Sequence, residues 1–506
     1  MAAVIGFDPV SLGVVEQGFS LTPLPWPARA RLGTSLPYDG YRIRRKGLAS
    51  NMNIEDSIEA FRKGSFEVDC PTMVLTQRKE NGEVFQGSGY IKQAADGHLT
   101  YKLYVASSIN SAPFRQLEIY INARPGKLFE DDDYYDLTAT TIDGITWKAT
   151  RFFPAFSSDV EAGTKLSYGL LGTIRAELPN HNRGNYQRLH FFEEYELPLH
   201  LMSETDRNGN KYYILDRCEF DIGDLKFEVR KREGSGDTVM EVISEASIPR
   251  SFHLRAQEAL QYITGKTITW RARVEVSPDA FALELTSPSR RAAETSLKAP
   301  ISHGTTDFRE HGWKLFGYFL KYVIAQTDGT HWNPVAYHLH NARESTASSI
   351  DAGAIGVSVA LEAIASLATT DHGEDQIKRI NRFQVHVRDH LSTQTEFVDF
   401  VKRLDGMLSN WSKKRPQDTL HELAEKGFIQ KSYIASWTNL RNRHVHPTLA
   451  DLEPPTPATY QRVLDHTYRV EVLLNQVIFH LIGYEGPFTD YGTEGFPNKG
   501  YPLAIM

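Results

Sequence analysis

The order of apolar and polar residues divides the chain into two parts with different periods. From about residue 64 to residue 286 the period is two, as in residues 225–230, Leu-Lys-Phe-Glu-Val-Arg. This alternation predicts antiparallel strands that bury one face. Pairs of residues typical of tight turns separate the alternating runs: Asn81-Gly82, Asp96-Gly97, Asp143-Gly144 and Asn208-Gly209. Many short strands at this spacing predict a β-sandwich or a strongly bent sheet.

After about residue 306 the apolar period becomes 3.6, which predicts helices. The helical segments cover 308–327, 334–344, 349–368, 376–391, 396–411, 419–446 and 456–484, with a break near Gly427 in the sixth. Two more helices are predicted at 54–62 and 251–262. Ser348 or Ser349 is expected to cap the third segment, and Thr456-Pro457 to begin the last. The sequence therefore predicts an α+β protein, a β-rich region followed by an all-α bundle.

These patterns predict four consecutive parts of the chain. The β-rich region covers residues 1–286, and a linker covers 287–306. The linker is predicted because the segment from 287 to 300 is polar, with proline near each end. The helical bundle covers 307–484, and a tail rich in Gly, Tyr and Pro covers 485–506.

Composition narrows the range of functions. The chain has 506 residues, of which 41% are hydrophobic, and a net charge of −7, so it is not a strongly basic nucleic-acid coat. Only Cys70 and Cys218 are present, which fits a reducing cytoplasm. The first residues lack the basic and apolar regions of a signal peptide. The longest apolar stretch, 352–370, contains Glu362 and is interpreted as a buried helix, so we expect a cytoplasmic protein without a membrane span.

The most informative segment is 437–447, Trp-Thr-Asn-Leu-Arg-Asn-Arg-His-Val-His-Pro. The apolar residues before it recur at helical spacing. At about 100° per residue, Arg441 lies almost above Ile434 and therefore in register with the buried stripe. A charge placed there costs free energy unless it is paired or used in chemistry. The alternative is that Arg and His complement the dipole of a helix that ends before Pro447.

The block Arg441-Asn442-x-x-x-His446 resembles the motif of HEPN ribonucleases. An apolar helix with a lone Glu, here Glu362, followed by amphipathic helices and this motif is similar to the HEPN domain as a whole. A β-rich region before such a domain resembles the ApeA family of bacterial anti-phage abortive-infection proteins. The architecture covers the whole chain, whereas only the C-terminal motif is specific in its residues.

The resemblance implies an endoribonuclease that needs no metal or other cofactor. Arg441 and His446 would carry the reaction, and Asn442, one turn before His446, would orient the imidazole or bind phosphate. His takes the proton of the ribose 2′-OH as a general base, and Arg stabilises the charge that grows on the phosphate. The substrate would be host RNA, with tRNA one candidate, and a phage-derived trigger would activate cleavage. The expected products carry a 2′,3′-cyclic phosphate and a 5′-hydroxyl.

The position of the two catalytic candidates raises a geometric problem. Five residues on an ideal helix place Arg441 and His446 about 140° apart. A distorted helix end would relieve this, and so would a dimer in which two motifs meet across a two-fold axis. The resemblance favours the dimer, because HEPN ribonucleases share a cleft between subunits. Arg443 and His444 depart from the motif, so either His444 or His446 remains a candidate base.

Glu362 is the only charged residue between Asp351 and Asp371. One interpretation places it on an exposed edge of its helix. The other makes it a partner that orients Arg441 or His446, since an unpaired buried carboxylate would be destabilising.

Two other functions fit parts of the sequence. The first is a catalytically inactive HEPN scaffold for dimerisation or RNA binding, joined to a β-rich ligand-sensing region. The second is a zinc hydrolase, because His386 and His390 have the i,i+4 spacing of a zinc site, although no third ligand is evident. The basic residues 413–415, next to Trp411, predict a solvated loop or a contact to an RNA backbone.

Overall fold

The structure is a computed structural model, and it describes most of the chain between residues 54 and 503. The described ranges are 54–110, 129–159, 164–178, 185–207, 210–232, 236–278, 281–288, 297–327, 329–368, 374–392, 400, 403–404, 406–407, 415–445 and 456–503. Two compact units are present, Met1–Glu177 and Leu178–Met506. His446, Asn208-Gly209 and nearly all of the helix expected at 396–411 lie outside the described residues.

The first unit contains one helix and an antiparallel sheet. The helix, α1, is Ile54–Arg62, as the sequence predicts. The strands of the sheet are β1 Glu67–Gln77, β2 Val84–Gln93, β3 Leu99–Ile109, β4 Tyr135–Thr140, β5 Thr146–Phe152, β6 Ala155–Asp159, β7 Thr164–Leu171 and β8 Thr173–Leu178. They lie in the order β8-β5-β4-β1-β2-β3-β7-β6. The expected turn pairs 81–82, 96–97 and 143–144 connect neighbouring antiparallel strands.

The strands of the second unit also pair antiparallel. They are β9 Asn185–Phe191, β10 Leu201–Arg207, β11 Asn210–Ile222, β12 Leu225–Lys231, β13 Thr238–Ser244, β14 Ala272–Val276 and β15 Phe281–Thr286. Their order is β10-β11-β12-β13-β9-β14-β15. In β12 the side chains of Phe227 and Val229 are buried while Glu228 is not, which is the alternation that predicted the strand. The helix expected at 251–262 is present as α2, Phe252–Thr264.

The helices after the strands follow the predicted 3.6-residue pattern. They are α3 Thr306–Gln326, α4 Pro334–Thr346, α5 Ile350–Leu367, α6 Glu374–Ser392, α7 Pro416–Glu425, α8 Lys431–Val445 and α9 Pro457–Ile482. The Ser349 hydroxyl caps α5 by accepting from Ala352 N at 3.0 Å. Thr456 caps α9 in the same way. Gly427, with φ of +77°, lies at the break between α7 and α8. The predicted α+β class, strands followed by helices, is therefore confirmed.

Aromatic side chains join the strands and helices of the second unit in one hydrophobic core. Phe220 in β11 stacks on Trp313 in α3 with ring centroids 4.5 Å apart. Tyr262 in α2 stacks on Phe319 at 4.4 Å. The sequence places the linker at 287–306, and part of that segment lies outside the described residues. The described part is packed, with Ile301 fully buried, because α3 covers the strands that precede it.

The residues after α9 are packed against the second unit. They form β16 Gly486–Thr489 and β17 Asn498–Tyr501, which pair antiparallel. Phe488, Tyr491 and Tyr501 are buried in the same core. The Asp490 carboxylate is fully buried and accepts hydrogen bonds from the Tyr433 hydroxyl at 2.8 Å and from Lys499 Nζ at 2.6 Å. The segment expected to be a tail therefore holds the first turn of α8 in place.

α5 is the most apolar of the described helices. It packs against α4, α7, α8 and α9. By length and composition it is, of the described helices, the one apolar enough to cross a membrane, and the core helices of water-soluble proteins meet the same criterion. The sequence predicts a buried helix, but Ile355, Val359 and Leu367 are exposed on one side. The side of the helix that faces the bundle is buried, and the other side exposes these apolar residues together with Glu362.

Candidate functional site

The C-terminal turn of α8 carries the predicted motif. The apolar residues of α8 face inward, as the spacing predicts: Tyr433, Ile434, Trp437 and Leu440 are all buried. The indole Nε1 of Trp437 donates to the carbonyl oxygen of Ser358 at 3.2 Å, which fixes α8 against α5. Because the buried stripe positions the helix, the polar residues from 441 to 444 are presented at its end.

The predicted contact between Glu362 and Arg441 is present. Arg441 Nε donates to Glu362 Oε2 at 3.1 Å, across 79 positions of sequence. Each side chain is 39% exposed, so the pair lies at the surface of the bundle and not in its interior. Glu362 therefore lies on the exposed side of α5, as one interpretation of the sequence holds, and it is at the same time the partner of Arg441, as the other holds. The guanidinium of Arg441 is held at Nε by Glu362 and remains accessible to solvent.

His444 has a different environment from Arg441. Its side chain is 9% exposed, and its Nε2 lies 3.8 Å from Asp351 Oδ1. Asp351 is in the first turn of α5, eleven residues before Glu362, which corresponds to about 16 Å along a helix. Arg441 and His444 therefore contact different turns of α5. Asn442 is exposed and Arg443 half-buried at the same helix end, whereas His446 lies outside the described residues.

Arg441 and Asn442 face an open cleft with a volume of about 240 Å³, slightly below the ~300 Å³ at which sites for small organic ligands typically begin. α5, α7 and α8 form its walls, which consist of Glu362, Arg415, Pro416, Gln417, Trp437, Thr438, Arg441 and Asn442. Three residues that the sequence assigned to one site, Arg441, Asn442 and Glu362, are thus brought together. The lining can bind an anion beside polar side chains, because it offers guanidinium and amide donors. The Thr438 hydroxyl donates to the carbonyl oxygen of Ile434 at 3.1 Å and is left as an acceptor.

Arg415 is a charged residue of the cleft lining that the sequence did not assign to the motif. Its segment, residues 413–415, stands out in the sequence as a basic run beside Trp411, which is consistent with a solvated loop as well as with an RNA contact. Arg415 immediately precedes α7, and the packing of α7 on α5 brings it to the cleft. Residues 408–414 lie outside the described residues.

The residues of the zinc alternative lie elsewhere. His386 and His390 are exposed on α6, with ring centroids 6.5 Å apart. In the part of the chain that the structure describes, no group of three or more His, Cys, Asp or Glu side chains is arranged to hold a metal ion. The zinc hydrolase alternative thus has two potential ligands and no third among the described residues.

Comparison of the chain with protein-family models, with curated proteins and with solved structures finds no match. The arrangement of Arg441, Glu362 and Asn442 at the cleft is therefore the basis on which a function can be argued.

Proposed function

We propose that this protein is a metal-independent endoribonuclease of the HEPN type, with its active site at the C-terminal end of α8. The proposal rests on one observation: Arg441 is half-exposed and is held by Glu362 at the edge of an open cleft. An arginine that served only to stabilise the bundle would gain little in such an exposed pair. A guanidinium fixed at one edge and open at the other is suited to bind a phosphate.

The proposed reaction uses the nucleophile that RNA itself carries. His446 removes the proton of the ribose 2′-OH, and the 2′ oxygen attacks the adjacent phosphorus. Arg441 stabilises the negative charge on the phosphate oxygens in the transition state. The bond from phosphorus to the 5′ oxygen breaks, and that oxygen takes a proton from the His446 imidazolium. The products are a 2′,3′-cyclic phosphate and a 5′-hydroxyl, and Asn442 orients the imidazole or the phosphate.

The biological setting that we propose follows from the ApeA resemblance. The protein would lie in the cytoplasm and remain inactive until a phage-derived trigger is present. It would then cleave host RNA, with tRNA one candidate, and halt growth before the phage multiplies. The β-rich region would sense the trigger, an assignment based on analogy of architecture.

Substitution of the two catalytic candidates tests this proposal. We expect Arg441→Ala and His446→Ala each to reduce RNA cleavage at least ~100-fold, because each removes a group that acts in the transition state. His444→Ala is the matched control, since His444 is directed at Asp351 and is nearly buried. It should retain cleavage within ~5-fold of the wild type, as a residue outside the reaction does.

The RNA ends and the effect of a chelator complete the test. Cleavage should persist in EDTA and leave 2′,3′-cyclic phosphate ends. Cleavage that EDTA abolishes would favour the zinc hydrolase. If the His446→Ala variant still cleaves RNA and the His444→Ala variant does not, His444 is the general base. RNA binding without cleavage by the triggered wild-type protein would favour the inactive scaffold.

A further inference from the structure

Arg415 brings a second guanidinium to the cleft that contains Arg441. Its side chain is exposed and lines the cleft together with Thr438 and Asn442. Among the described residues of the lining, Glu362 has the one carboxylate, and that carboxylate accepts from Arg441 Nε. The described part of the lining therefore carries two positive charges and one negative charge.

This charge balance favours an anion as the occupant of the cleft. Two like charges in a partly enclosed space raise the local potential and attract a counter-charge. A guanidinium offers a planar fork of donors that matches a phosphate better than a monovalent halide. The start of α7 adds little by itself, because Pro416 has no N–H and Asp418 Oδ2 accepts from Arg415 N at 3.0 Å. The arginine side chains are thus the groups that would hold the anion.

The size of the cleft argues for a ligand larger than one phosphate ion. The cleft has a volume of about 240 Å³ and is open to solvent, whereas one water needs only ~10–15 Å³ of such volume. It can therefore take a phosphate with part of its nucleotide, and the rest of a strand would continue into solvent. Thr438 and Asn442 also line the cleft. The Asn442 amide offers donors and an acceptor to the sugar or base, and the Thr438 hydroxyl, which donates to the carbonyl oxygen of Ile434 at 3.1 Å, offers an acceptor. A single-stranded RNA segment has this combination of repeated phosphate and polar groups.

We propose that Arg415 binds a phosphate of single-stranded RNA next to the phosphate that is cleaved, so that the cleft holds two phosphates of the backbone. This inference rests on the proposed ribonuclease function. Arg415 belongs to the binding surface and does not touch the reacting atoms. It contributes to the affinity for RNA, whereas Arg441 and His446 contribute to the rate of the chemical step.

Steady-state kinetics of the full-length protein on a short single-stranded oligoribonucleotide test the inference. Arg415→Gln should raise KM about 10-fold, the usual worth of one charge-assisted hydrogen bond, and leave kcat within about two-fold. The slope of log KM against log salt should fall by about 0.7, as expected for one lost phosphate contact to a single strand. Arg415→Lys should give an intermediate KM because it keeps the charge and loses the fork.

Arg462→Gln is the matched control. Arg462 is an exposed arginine on α9 that donates to Thr459 Oγ1 at 3.5 Å and does not line the cleft. It should leave KM and the salt dependence unchanged. If Arg415→Gln behaves like Arg462→Gln while the wild type cleaves RNA, the inference is overturned and the ribonuclease proposal stands. A loss of kcat at unchanged KM would also overturn it.

Binding of an uncleavable ligand separates this inference from the proposed activity. A 2′-deoxy oligonucleotide lacks the nucleophile, so its affinity can be measured by fluorescence anisotropy whether or not the protein cleaves RNA. Weaker binding by Arg415→Gln than by Arg462→Gln supports the phosphate site even if no cleavage is found. Equal binding by both variants overturns it.

Discussion

At the scale of single residues, the pair of Arg441 and Glu362 shows how an ion pair can position a group without stabilising the fold. Both side chains are 39% exposed, and ion pairs of this exposure contribute about 0–1 kcal/mol to stability. Its effect on orientation is larger, because the hydrogen bond from Arg441 Nε at 3.1 Å fixes that edge of the guanidinium. The pair therefore matters more for the site than for folding.

We predict that Glu362→Gln lowers kcat for RNA cleavage about 10-fold and changes the free energy of unfolding by less than about 1 kcal/mol. The amide keeps an acceptor but loses the charge that restrains Arg441. Glu422→Gln is the control, because Glu422 forms an exposed ion pair with Lys426 on α7 at 2.6 Å and does not line the cleft. Equal effects of the two substitutions on kcat would show that Glu362 does not position Arg441.

At the scale of elements, α8 depends on the segment that follows α9. Asp490 is fully buried, and it receives hydrogen bonds from Tyr433 on α8, from Lys499 and from Thr493. Burial alone would raise the pKa of Asp490, but the hydrogen bonds from Lys499, Thr493 and Tyr433 outweigh it and hold the pKa below its usual value. The segment from 485 to 503 is therefore part of the framework of the candidate site.

We predict that Asp490→Ala lowers the free energy of unfolding by about 3 kcal/mol, because it leaves several buried donors without an acceptor. Glu494→Ala, an exposed position in the same segment, should change it by less than about 0.5 kcal/mol. Chemical denaturation followed by tryptophan fluorescence measures both, since Trp437 lies on α8. A small effect of Asp490→Ala would mean that the segment does not anchor the helix.

α9 contains a buried carboxylate that makes stability depend on pH. Glu471 accepts from Lys298 N at 2.7 Å, and burial raises its pKa to about 7. In the unfolded chain a glutamate has a pKa of about 4.3. Between these two values the folded protein binds more protons than the unfolded chain, so its stability falls as the pH rises through this window. Glu258, the pKa of which burial also raises to about 7, acts with the same sign.

We predict that Glu471→Gln removes the Glu471 part of this dependence, since the amide is neutral at every pH and still offers an acceptor to Lys298 N. The variant should be more stable than the wild type at pH 8, and this advantage should shrink as the pH falls toward 5. Differential scanning calorimetry at a series of pH values measures the difference. An advantage that does not vary with pH would contradict the assignment to Glu471.

At the scale of the whole molecule, the candidate site lies in the second unit, close to an apolar surface of α5. Val359 is 52% exposed, and Ile355 and Leu367 are exposed on the same side of the helix. Exposed apolar side chains that lie together commonly mark a contact with another chain. We propose that two copies meet through this side of α5 and that their motifs then share one cleft, as the HEPN resemblance implies.

Light scattering should show a dimer for the wild type, and Val359→Asp should shift it to a monomer with reduced cleavage. Ile142→Asp, which adds the same charge at a fully exposed position of the first unit, should leave the dimer intact. A monomeric wild type that cleaves RNA at full rate would refute the shared cleft.

The sequence by itself determined where the helices and strands lie. The alternation in β12, the caps Ser349 and Thr456 and the break at Gly427 are local signals, and local backbone preferences suffice to place elements of this kind. The motif of Arg441, Asn442 and His446 was also visible there, because its residues lie within six consecutive positions of the sequence.

Only the tertiary structure decided which distant segments meet. It showed that β9 and β11–β13 share a core with the helices, that residues 485–503 anchor α8, and that Arg415 belongs to the cleft. It also placed Glu362 on the exposed side of α5 and in contact with Arg441, which the sequence had left open. These facts depend on how side chains from separate elements fill a common interior, and periodicity along the chain does not specify which faces will be covered by which partners.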